Sequence, residues 1–91
     1  MNNIRLNNTL SFSVEPYNGK LRFVVYENSK EYVCRIERKK AMETFLIADT
    51  ASIFKGRLQL HKYNNEIAVE VKGEIVGNIL LSSFKKMLST S

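Results

Sequence analysis

Between Arg57 and Lys72 the apolar residues recur at a period of two: Leu58 and Leu60, then Ile67, Val69 and Val71, with Asn64-Asn65 between the two runs. Successive side chains of a strand point to opposite sides. This spacing therefore gathers the apolar groups on one face of a ribbon and sends Arg57, Gln59, His61, Glu66, Glu70 and Lys72 largely to the other. The segment predicts a β-hairpin with one buried and one wet face.

Weaker segments repeat the pattern. Leu10, Phe12 and Val14 alternate up to Pro16, which lacks a backbone donor and is expected to stop the strand. Asn18-Gly19 supplies the positive φ angles of a tight hairpin turn, and Leu21, Phe23 and Val25 resume the alternation on the return strand. Arg22, Val24 and Tyr26 then share the opposite face, apolar enough to be covered in part by a helix or another subunit. Asn28-Ser29-Lys30 reads as the next turn, followed by a strand over 31–37 with Tyr32, Cys34 and Ile36 on one side.

Over 38–54 the local preferences conflict. Arg38 to Glu43 contains helix formers, Phe45-Leu46-Ile47 favours a strand, and Asp49-Thr50 favours a turn or cap. The reading adopted is a strand over 44–48, then a turn or single helical turn through Phe54. Beyond the Arg57–Lys72 hairpin, Gly73 breaks the strand and Ile75, Gly77 and Ile79 begin another, with Gly77 suited to close packing or a bulge. From Ser82 the period changes: Phe84, Met87 and Leu88 fall at i, i+3 and i+4, with Lys85 and Lys86 pointing away, which predicts a short C-terminal helix. Residues 1–8 are polar and Asn-rich and read as a loose lead-in. No repeat long enough for a solenoid, no low-complexity tract and no interdomain linker is evident.

The fold class expected is mainly β, on the edge of α+β. It is a small antiparallel sheet or partly open barrel of five to seven strands built from hairpins, with one short C-terminal helix, in a single domain over 1–91. A chain of 91 residues buries only about 60–65% of its extended surface, so self-association that covers a sheet face or edge is a natural way to add stability. Cys34 is the only cysteine and cannot form an intrachain disulfide. The first residues lack the apolar run of a signal peptide, and no window reaches the roughly 18 consecutive apolar residues of a membrane helix. A cytoplasmic setting with no membrane partner is the expectation.

Reaction chemistry finds little support in the inventory. One His and one Cys do not supply the four ligands of a structural zinc site. A Cys34–His61 nucleophile pair would need two strands to bring it together and a third residue to orient it. Cys34 reads more simply as a small hydrophobe among Tyr32 and Ile36, and His61 as a surface residue beside Arg57 and Gln59. Asp49 is the sole aspartate, and Glu66 and Glu70 stand too far apart along a strand for paired-carboxylate hydrolysis. Lys55-Gly56-Arg57 lacks the spacing of a phosphate-binding loop. The chain is read as a non-enzyme without cofactor or metal.

What remains is charge. Fourteen Lys and Arg against nine Asp and Glu give a net charge of +5, and the surplus is concentrated over 35–62 in the middle of the chain. Arg35, Arg38, Lys39, Lys40, Lys55, Arg57 and Lys62 face only Glu37, Glu43 and Asp49 there. A local basic field attracts polyanions, and sheet modules that bind nucleic acid combine such cations with exposed rings, here Tyr17, Tyr26 and Tyr63. The functional expectation is a small basic nucleic-acid-binding module of weak sequence preference, binding DNA or RNA, single-stranded or duplex, with those seven cations as phosphate contacts. The alternative is a protein-interaction or structural module, a homodimer or adaptor, that uses a sheet face or edge.

Overall fold

A computed structural model describes residues 3–89. Among them, eight strands and two helices follow one another as four strands and a helix, twice over. The first unit is β1 (Asn3–Arg5), β2 (Leu10–Tyr17), β3 (Lys20–Glu27), β4 (Lys30–Glu37) and α1 (Lys39–Ile47). The second is β5 (Thr50–Ile53), β6 (Leu58–Tyr63), β7 (Glu66–Val71), β8 (Glu74–Leu80) and α2 (Leu81–Ser89). Each set of four strands forms an antiparallel meander, in the orders β1-β2-β3-β4 and β5-β6-β7-β8. The mainly β class follows as expected, with the strands divided between two sheets and a second helix between them.

The alternation sets the register. Leu58 lies opposite Val71 and Leu60 opposite Val69, and all four side chains are buried with Ile67. The first sheet repeats this: Phe12 pairs with Val25 and Val14 with Phe23, and none of these is more than 1% exposed. Leu21, Phe23 and Val25 in β3 stand at the same interval from Ile67, Val69 and Val71 in β7 as Phe12 and Val14 stand from Leu58 and Leu60. The two hairpins are thus built on one pattern. A single apolar cluster includes the inward residues of both sheets together with Met42, Phe45, Phe84 and Met87 from the helices. At its centre the Phe23 ring meets Phe54 at 5.2 Å and Phe84 at 6.4 Å, and Phe84 lies 6.1 Å from Phe12.

Several expectations are corrected. Residues 39–47 form α1, in place of the strand expected over 44–48. Met42 and Phe45, three apart, both enter the core from one helix face, so burial overrides the strand preference of Phe45-Leu46-Ile47. The strand of this region is instead β5, in place of the expected turn. Residues 3–8, read as a loose lead-in, supply an edge strand and a turn. Ile4 pairs with Phe12, Ile4 and Leu6 pack against the core, and the Asn7 side chain accepts from the backbone of Thr9 and Leu10 at 2.9 Å each while donating to the Val76 carbonyl. Met1 and Asn2 lie outside the described residues. Pro16 does not end β2, which continues to Tyr17 opposite Lys20. Pro16 sits past Asn3 with Ser13, the last β1 pairing among the described residues, where no described strand needs its missing donor.

Cys34 is exposed rather than a core filler. A bulge between Val25 and Tyr26 places Val25 opposite Val33 and Tyr26 opposite Glu31, leaving Tyr32 as the extra residue. Tyr32 and Cys34 therefore part company, and Val33 takes the core position. Val24, on the face expected to be partly covered, has no exposed surface and lies between half-buried Arg22 and Tyr26. The Asn18-Gly19 turn forms with φ of 48° and 79°, as the primed hairpin turns require.

Gly77 fulfils the close-packing expectation. A Cβ at that position would stand 2.9 Å from both the Cβ and the carbonyl oxygen of Leu6, so only glycine lets the β1–β2 connection lie against β8. Gly77→Ala is expected to cost about 1–3 kcal/mol of stability by forcing these backbones apart, read as a lowered urea midpoint with an unchanged m-value.

Candidate nucleic-acid interface

The seven cations selected from sequence fall into three groups. Arg35, Lys55 and Arg57 come together around a notch of about 330 Å³ between the exposed edge of β4 and the loop joining β5 to β6. Arg38, Lys39 and Lys40 sit at the start of α1, all exposed. Lys62 is only 4% exposed, and its Nζ donates to the Ala48 carbonyl.

The notch is built from local geometry. Arg35 lies opposite Phe23 and so points to the inner side of the first sheet, but β4 is the outermost strand and its side chain emerges at the edge. There the guanidinium stands 5.9 Å from the centre of the Phe54 ring and donates to the Lys55 carbonyl at 3.1 Å. Phe54 and Gly56 both have positive φ, 73° and 84°, which turns the loop sharply and sets Lys55 and Arg57 beside β4. Gln59 donates to the Gly56 carbonyl at 3.3 Å, and the Lys72 amide donates to the Arg57 carbonyl at 2.8 Å.

Sequence reasoning misses two members of this site. Tyr32 lines the notch, and the Lys72 ammonium lies 4.3 Å from its ring centre, within the range of a cation–π contact. The alternation alone assigns Tyr32 to an apolar face, because the bulge that displaces it leaves no mark in that pattern. It likewise assigns Lys72 to a solvated ribbon, and only the turn at Lys72-Gly73, both at positive φ, redirects it.

Glu31 is the acid lining the notch, and it is already engaged. Arg22 spans Glu15 at 2.9 Å and Glu31 on the neighbouring strand, and Tyr26 donates to the other Glu15 oxygen at 2.6 Å. The Arg22 hydrogen bond, followed by one from Cys34, holds the Glu31 carboxyl below its ordinary range. The Glu15 carboxylate raises the Tyr26 phenol above its usual value, with burial adding to the effect. The cations Arg35, Lys55 and Arg57 take part in none of the ion pairs among the described residues.

His61 stands apart from the notch, on the outer face of the second sheet. Its Nδ1 is 2.7 Å from Ser52 Oγ and its Nε2 is 2.9 Å from Glu70 Oε1, so both ring nitrogens are occupied by neighbouring strands. Cys34 belongs to the first sheet, and the Cys34–His61 pair considered from sequence does not assemble. No group of three or more metal-ligating side chains occurs among the described residues. Tyr17 and Tyr63 are exposed, and Tyr26 is tied to Glu15.

Comparison with protein-family models, with curated proteins and with solved structures finds no match.

Two outcomes follow. Lys62 caps the C-terminal end of α1, which has no basic residue in its last turn and ends at Ala48 in extended conformation. An ammonium there complements the helix dipole, so Lys62→Ala is expected to lower stability by about 1.5–3 kcal/mol in chemical denaturation. Glu31, depressed in the folded state, contributes stability that is present above its unfolded pKa of about 4.3 and is lost as the pH falls through the folded value. Thermal midpoints of the wild-type protein should therefore drop below about pH 4, and Glu31→Gln should flatten that acid limb.

Proposed function

We propose that the protein is a small nucleic-acid-binding module whose phosphate contacts are Arg35, Lys55 and Arg57, supported by Lys72. One observation carries this reading. Cations separated along the sequence converge on one open notch beside an aromatic ring, while the acid lining the notch is held by Arg22. Arg35 is oriented in advance by Phe54 and the Lys55 carbonyl, so little side-chain freedom is lost when a phosphate binds.

Neither Asn nor Gln lines the notch, and the Gln59 amide is committed to Gly56. Recognition therefore rests on the backbone of the nucleic acid, with weak sequence preference. Lys62, buried and bonded, is left out of the contact set.

A second reading, a protein-interaction or structural module, is supported by Tyr63, Ile75 and Leu80, each more than half exposed. Tyr63 and Leu80 both lie opposite Glu66, and Ile75 lies opposite Glu70, on the outer face of the second sheet. A homodimer through this face would appear as concentration-dependent mass in sedimentation; a monomer throughout would remove it.

The nucleic-acid reading is tested by fluorescence anisotropy with a labelled single strand and its duplex across a salt series. Lys55→Gln/Arg57→Gln is expected to weaken binding on all sequences alike. It should also reduce the slope of log K against log salt by about 0.7–0.9 for each phosphate that is no longer neutralised. Unchanged affinity and slope in that variant would overturn the assignment.

A further inference from the structure

The cations at the start of α1 are not part of the notch, and their placement is electrostatically unfavourable in the isolated chain. Arg38 is the N-cap residue and provides no side-chain cap, and Lys39 and Lys40 open a first turn that contains no acid of its own; the Glu37 carboxylate just before it accepts from the Arg38 amide. Cations at the positive end of a helix dipole are destabilising, whereas an anion at the same place is favoured.

A second feature lies beside them. Between α1 and α2 runs a groove of about 360 Å³ with Leu21, Met42, Leu46 and Leu88 along it and Lys39 and Lys85 at its margins. That volume is at the lower end of the range for ligand clefts. Glu43, the one acid in the two helices, also lines the groove, and neither Lys39 nor Lys85 takes part in an ion pair among the described residues. One turn along from Glu43, Ile47 is 84% exposed, extending the apolar strip past the groove.

We propose that the α1–α2 groove docks an acidic, amphipathic segment of a partner protein. Apolar side chains of the segment seat between the half-buried Leu46 and Leu88, above Met42, and its carboxylates meet Lys39 and Lys85. Charge complementarity selects the occupant: two lysines outnumber Glu43 at the margin and the floor is apolar, so the ligand must carry both acids and apolar side chains. A nucleic-acid backbone satisfies the first requirement and leaves the apolar floor unfilled. A neutral apolar helix would satisfy only the second. The site is separate from the notch and does not depend on the nucleic-acid reading.

The test is selection of a displayed random-peptide library on the full chain, with parallel selection on Lys39→Glu/Lys85→Glu and on Leu88→Glu. Enriched peptides are then synthesised and titrated by anisotropy. The expected result is a signature of clustered Asp and Glu beside an apolar anchor, with at least tenfold weaker binding to each variant and unchanged binding to Lys55→Gln/Arg57→Gln. Lys39→Glu places an acid at the positive helix end, so the unfolding midpoint of its variant should hold or rise, which separates a failure to dock from a failure to fold. The proposal is overturned if no peptide enriches, if the enriched peptides lack acids, or if they bind the variants equally. Displacement of the peptides by an oligonucleotide whose own binding needs Lys39 and Lys85 would assign the helices to nucleic acid instead.

Discussion

The contact of Phe23 with Phe54 and Phe84 is the interaction on which the rest of the molecule depends. Phe23 belongs to the first sheet, while Phe54 and Phe84 come from the second unit, and their rings meet within 6.4 Å. Neither meander can bury its inner face alone. These rings join the two faces, and Phe84 brings α2 with it. Phe54 has a further role because its φ of 73° is uncommon for a bulky side chain, a strain on the order of 1–3 kcal/mol. That conformation persists because the ring is 9% exposed and packed on Phe23. The same turn of the chain brings Lys55 and Arg57 to the edge of β4, so packing in the core sets the position of charge at the surface.

Electrostatics follows from what the acids are doing. Glu15 and Glu31 are drawn to Arg22, Glu70 to His61, and Glu37 accepts from the Arg38 amide. Four of the nine acids are engaged in this way, on the outer faces of the sheets and at the start of α1, and Glu31, the acid that lines the notch, is among them. The positive surplus is left at the notch and along the first turn of α1. Exposed ion pairs of this kind contribute little stability individually; their consequence is to leave the notch cations without competing carboxylates.

The hairpins are legible in the sequence because strand period and turn residues agree, as at Leu58–Val71 and around Asn18-Gly19. The C-terminal helix is legible for the same reason, its Phe84 and Met87 spacing having no competing pattern. Helix α1 is obscured by Phe45-Leu46-Ile47, whose strand preference yields only to the burial of Met42 and Phe45 together. The repeat of four strands and a helix is hidden because the strands differ in length between the units and their outward residues differ in kind, although the core positions of β3 and β7 keep a constant interval. The cations of the candidate site are visible as a local surplus. Their sorting into notch, helix and core is not, because one bulge at Tyr32 and one positive φ at Phe54 decide it, and neither leaves a periodic trace. Lys62 shows the limit most plainly: it continues the inward positions of Leu58 and Leu60, and charge alone suggests a surface.

The most direct test is an amide chemical-shift map of the protein titrated with a short oligonucleotide at low salt. The account predicts that the largest shifts fall on 31–35, 54–58 and Lys72, with small changes along α1, α2 and the outer face of the second sheet. Shifts centred on the outer face of the second sheet around His61 and Ala68, or confined to the two helices with the notch unmoved, would contradict it.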